Sequence, residues 1–148
     1  MLDTILQILF PLSVMLYWIA EGCTEGYTWA NGERRNNNKL ISGSSNSVAL
    51  MDYHAWRIFE NVGIWGAVVL AFFLETSFMK MFLLGTGGWF MGTCLYEMAL
   101  NYVASGSIYK KSSFKWHILG YNIPWVTGKG IWALFGFGLA ILVIGLVI

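Results

Sequence analysis

Charge is what this sequence has least of. Only 11% of its 148 residues are Asp, Glu, Lys or Arg, against about 25% in a soluble domain. So few charges exclude an ordinary water-covered globule. The net charge of +1 leaves no basic field for nucleic acid, and no nucleic-acid partner is expected. Cysteine is scarce as well. Cys23 and Cys94 make neither a CxxC motif nor a disulfide framework, and both lie in or beside apolar runs, as small membrane-buried residues do. Missing too are a GxGxxG or HExxH motif, a GxSxG nucleophile elbow and the Glu-x-x-His pair of di-metal bundles. None of the chemistries those motifs serve is indicated, and no cofactor is assigned.

What is present is apolar length. Hydrophobic residues make up 57% of the chain, and the mean hydropathy is +0.59. A spanning helix needs about 20 mostly apolar residues. Four segments approach that length, at about 2–25, 53–74, 78–104 and 130–148. The fold class is an all-α membrane protein: one transmembrane helical domain over 1–148, with four spans in a compact bundle. The first segment lacks a basic n-region and a small-residue cleavage site, so it reads as a retained helix rather than a signal peptide. Pro11 should kink it or leave it locally unsatisfied. The Glu75-Thr76-Ser77 turn is short enough to make helices two and three an antiparallel hairpin.

The remaining connections differ in kind. Residues 31–46 are rich in Asn, Ser and Gly and read as a solvated loop, with Ser47 or Asp52 to cap the next helix. Residues 105–129 interleave lysines with Phe114, Trp116, Tyr121 and Trp125. That mixture favours the headgroup region, with His117 interfacial beside Trp116. Close helix contacts are signalled by Gly22 with Gly26, Gly88 with Gly92, Gly63 with Gly66 and Ala67, and Gly136 with Ala140.

Orientation follows from the basic residues. With four spans, eight of the nine lysines and arginines fall on one side; Lys80 is the exception. That side should be cytoplasmic. Loops 26–52 and 105–129 are then cytoplasmic, and both termini are extracytoplasmic. The partners expected are the lipid bilayer, anionic headgroups at Lys110, Lys111 and Lys115, and further copies or other membrane subunits.

The chain's unusual charges converge on this topology. Asp52 to Asn61 opens the second helix with His54, Arg57 and Glu60 inside nine residues. Glu21 and Glu25 sit at the inner end of helix one. Glu97 lies roughly 10 Å inside the boundary on helix three, and Glu60 roughly 6 Å inside. Thr93, Glu97 and Asn101 form an i, i+4, i+8 stripe, and Tyr53 and Asn61 are polar lining on helix two. Four acids face one deep cation, Arg57. Intramembrane acids are expensive and are functional candidates by default, so either some of these carboxyls are protonated or a cation completes the site.

Glu60, Glu97, Glu21, Glu25 and His54 are therefore the ion- or proton-binding candidates, with Arg57 as counter-ion. The competing reading makes Glu21, Glu25 and His54 hydrated helix-end charges and Arg57–Glu60 an ordinary i, i+3 pair. The function expected is cation or proton transport or conduction by a small polytopic protein. The alternatives are a non-catalytic subunit of a membrane complex or membrane-bearing viral particle, and an enzyme with a carboxylate–His metal site. A metal set drawn from Glu21, Glu25, His54, Glu60 and Glu97 would suit manganese or iron better than zinc.

Overall fold

A computed structural model describes residues 2–37, 53–74, 76–108, 115–118, 121–124 and 129–148, with side-chain surroundings for 2–26, 55–74, 76–103, 106–108 and 130–148. Four helices build it: α1 (Leu2–Asn37), α2 (Tyr53–Phe73), α3 (Phe78–Ser105) and α4 (Lys129–Val147). Leu2–Gly26, Ala55–Phe73 and Gly130–Val147 are each long and apolar enough to cross a membrane. Helix α3 falls short of that apolarity although it is 28 residues long. The reason is its position. It packs on α1 along one side and on α4 along the other, so it buries Thr93, Glu97 and Asn101 and needs less apolar surface.

The principal pairings are α2 on α1, α1 on α3, and α3 on α4. The helices thus form a row, α2–α1–α3–α4. Their relative directions follow from close approaches at glycine. Pro11 meets Gly88, Trp18 meets Gly92, Gly22 meets Tyr96 and Gly26 meets Leu100. Both numbers rise together, so α1 and α3 run parallel. Ser13 meets Gly66 and Tyr17 meets Gly63, whereas Gly138 meets Met91 and Gly145 meets Leu84. One number falls as the other rises, so α2 and α4 run opposite to their neighbours.

These approaches need glycine. A Cβ on Gly22 would overlap the Tyr96 carbonyl, and one on Gly138 would come within 2.9 Å of the Met91 nitrogen. Backbones this close gain dispersion contacts that larger residues forbid. The Gly22–Gly26, Gly88–Gly92 and Gly63–Gly66 pairs all lie at helix contacts. Gly136 with Ala140 does not. A Cβ on Gly136 would meet nothing within 4 Å, and both residues are exposed. Gly138 and Gly145, seven apart, form the α4 contact instead, because two helical turns return a residue to the same face.

Where α1 to α4 converge, Phe10, Leu74 and Leu84 form a buried core with Leu6, Ala67, Leu70, Met81 and Leu142 around it. The outer faces are apolar as well. Trp65 (63% exposed), Phe72 (84%), Phe78 (76%) and Val147 (81%) have no protein cover, as expected of surfaces adapted to lipid.

Three local features bear on those expectations. Helix α1 does not end near residue 25: residues 27–37 are helical, where a solvated loop was expected. Once a long helix exists, each added residue gains a hydrogen bond without a new nucleus, and Ala30, Glu33, Arg34 and Arg35 are all adequate helix formers. Helix α1 also runs on through Pro11, which cannot donate to the Gln7 carbonyl. Third, the 105–129 connection, read as an interfacial loop of an all-α chain, contains two strands, β1 (Lys115–Ile118) and β2 (Tyr121–Pro124), paired antiparallel.

Helix α3 is capped at both ends. Ser77 accepts from the Lys80 amide at 3.3 Å, and Gly106 takes φ 75° with its N–H donating to the Tyr102 carbonyl at 2.7 Å. A left-handed φ favours glycine there. Ser47 and Asp52, the expected caps of α2, lie outside the described residues.

Candidate functional site

The contact register brings the ionisable residues to one level. Glu21 and Glu25 flank Gly22, which meets Tyr96, so Glu97 is level with them on α3. Arg57 reaches Glu21, so the start of α2 joins the same layer. Helix α4 contributes its first turn, where the Cys94 thiol donates to the Ile131 carbonyl at 3.3 Å. Three helices therefore deliver acids to one end of the bundle, as their spacing implied.

Within the layer the groups divide into two clusters, one on each side of α1. On the α2 side, Arg57 Nη1 donates to Glu60 Oε1 at 2.6 Å and lies 4.0 Å from Glu21 Oε2. One guanidinium nitrogen thus serves two carboxylates from different helices. The Arg57 side chain is 45% exposed, but those of Glu60 and Glu21 are only 13% and 22% exposed. Among the described residues nothing donates a hydrogen bond to the buried Glu60 Oε2 or Glu21 Oε2, and the Glu21 carboxyl lies against that of Glu60. A buried carboxylate oxygen left in that condition is costly. It is where a proton, a water molecule or a cation is most strongly favoured.

On the α3 side the contacts are less exposed. The Tyr96 hydroxyl donates to Glu25 Oε2, tying α1 to α3 across the glycine contact. Glu97 is 1% exposed, and its Oε2 accepts from Asn101 Nδ2 at 3.4 Å, one turn on. Thr93 donates back to the Trp89 carbonyl at 2.8 Å, a local bond that satisfies the hydroxyl within its own helix. Trp18, edge-on to both Trp89 and Tyr96, closes this side against the apolar half of the bundle.

The expected site residues are thus partly assembled. Arg57 pairs with Glu60 and Glu21, and Glu97 bonds Asn101. Asn61 is exposed and donates to the Arg57 carbonyl at 2.9 Å; it does not line the interior. The side chains of Tyr53 and His54 lie outside the described residues, as does that of His117. Among the described residues no three of His, Cys, Asp and Glu are gathered as metal ligands. Glu21 and Glu60 meet at Arg57 on the α2 side, Glu25 meets Tyr96 on the α3 side, and Glu97 bonds Asn101 within α3. Cys23 and Cys94 are free and buried.

Sequence reasoning missed Tyr96. Its signal was its place beside Glu97, but a tyrosine near a helix end reads equally well as an interfacial anchor. Only the Gly22–Tyr96 approach turns it toward α1. Comparison with known protein families, with curated proteins and with solved structures finds no match.

Proposed function

We propose that the chain is a multi-pass membrane protein that binds a proton or small cation at the α1–α2 cluster. In this reading α3 is a fourth span, shielded by α1 and α4, and it returns from α2 as an antiparallel hairpin. The lysine- and arginine-rich end faces the cytoplasm and both termini face outward. Glu60 and Glu21 are the binding groups, Arg57 is their counter-ion, and Glu25, through Tyr96, holds α1 on α3.

The observation that carries the reading is the shared guanidinium nitrogen. One Arg57 faces two carboxylates, and among the described residues nothing donates a hydrogen bond to the buried Glu60 Oε2. Four acids in the layer against one arginine leave negative charge for a cation or protons to neutralise. The half-exposed side chain of Arg57 marks the way in from the cytoplasmic surface.

A second reading, a non-catalytic subunit whose acids only lock helices together, draws support from the Tyr96–Glu25 bond and from the exposed apolar face of α2. A subunit would seat that face on another membrane helix. Proteoliposomes separate the two. Glu60→Gln should abolish cation- or proton-dependent flux while leaving the detergent-extracted protein folded and of unchanged size. Absence of flux from the wild-type chain, with loss of assembly in the variant, would favour the subunit.

A further inference from the structure

Between α3 and α4 the pairing register sets Lys115 opposite Pro124, Trp116 opposite Ile123, His117 opposite Asn122 and Ile118 opposite Tyr121. Opposed residues of an antiparallel pair share a face, and successive residues alternate. Trp116, Ile118, Tyr121 and Ile123 therefore share one face of the ribbon, and Lys115, His117, Asn122 and Pro124 share the other. An isolated two-stranded ribbon is marginal in water, and its apolar face needs cover. The extensive packing of each strand is with the other strand, while the helices pack among themselves.

What covers that face is indicated by tether and charge. Cys94 on α3 bonds Ile131 in the first turn of α4, so α4 begins at the end of the bundle toward which α3 runs. Strand β2 ends five residues before α4 begins. Residues 106–129 carry Lys110, Lys111, Lys115 and Lys129 and no acid. A cationic ribbon with Trp and Tyr on one face, held beside a span, complements an anionic interface.

We propose that the β1–β2 ribbon docks on an anionic lipid surface, its Trp116–Ile118–Tyr121–Ile123 face at the headgroup–acyl boundary and its Lys115–His117 face toward water. The docking rests on α4 lying in the bilayer, and the test reads that point separately.

The full chain, carrying Cys23→Ala and Cys94→Ala, is reconstituted in nanodiscs of phosphatidylcholine with or without phosphatidylglycerol. Single nitroxides are attached through Ile118→Cys, Ile123→Cys, His117→Cys, Asn122→Cys and, on α4, Val143→Cys. Accessibility to oxygen and to a water-soluble nickel complex is then measured. In the anionic discs the 118 and 123 sites should favour oxygen several-fold over the 117 and 122 sites. Neutral lipid, or Lys110→Gln, Lys111→Gln and Lys115→Gln together, should reduce that alternation. Three results would overturn the docking: nickel access at all four ribbon sites, protection of 118 and 123 from both reagents (cover by protein), or equal alternation in neutral discs. Nickel access at 143 would instead remove the membrane reading, and the docking with it.

Discussion

The two sides of α1 solve the same problem differently. Each joins α1 to a neighbour through acids in an apolar bundle. On the α3 side Glu97 is buried and Glu25 half-buried, and they bond Asn101 and Tyr96 beside the glycine contacts. On the α2 side the acids share a half-exposed arginine, and among the described residues nothing donates a hydrogen bond to a buried oxygen of Glu60. The two sides differ in access: the Arg57 side chain is 45% exposed, whereas Glu97 is 1% exposed. Depth in the bundle does not by itself distinguish holding from binding. Exposure to an exchanging ion or proton does.

The strongest challenge to this contrast is Gly22→Val. It should force α1 and α3 apart and destabilise the protein by about 3 kcal/mol or more, beyond ordinary overpacking because backbone stands in the way. Unfolding in mixed micelles measures it. A small effect would mean that the α1–α3 side is not the holding one.

Tyr96→Phe removes the hydroxyl donor but keeps the ring, and should cost about 1.5–3 kcal/mol, as for a bond to a charged group. Flux, where measurable, should change little. Equal stability of the variant and wild-type proteins would break the assignment of Glu25 to a structural role.

Arg57→Gln should cost about 1 kcal/mol, less than a buried pair because the guanidinium is half-exposed. Yet it should alter ion or proton binding more than Tyr96→Phe does, when both are read by flux in the same proteoliposomes. The opposite ranking would exchange the roles of the two sides.

The smallest effect is expected at Gly136→Ala, within about 0.5 kcal/mol of wild type, whereas Gly138→Ala should cost about 1–3 kcal/mol. Parallel denaturation curves of the two variants would test whether α4 is seated by the Gly138–Gly145 face.

Much of the bundle is legible in the residues. Apolar runs bounded by turn residues locate four helices, and the spacing of Glu21, Glu60 and Glu97 from the helix ends puts them in one layer. Which helix touches which is less legible, because glycine is common on several faces and only three-dimensional register selects among them. Gly136 with Ala140 has the small-residue spacing yet faces away from α3. The continuation of α1 through residues 27–37 escapes composition, since Asn and Gly lower helix propensity by less than an established helix can tolerate. The division of the acids into two clusters depends on Glu21 and Glu25 reaching different neighbours although they are one turn apart, which spacing along a single helix does not reveal.

The central place of α1 in the row bears on how the protein is made. In the membrane reading proposed above, translation delivers α1 before either neighbour, so Glu21 and Glu25 enter the bilayer without the partners they will have. Both sit in the last six residues of the Leu2–Gly26 span, where an unpaired carboxylate is still near water and least penalised. Helix α2 then arrives with Arg57 and α3 with Tyr96, each adding to a helix already in position. The order of the row is not the order of the chain, because α1, which precedes α2 and α3, is the surface on which both pack from different sides.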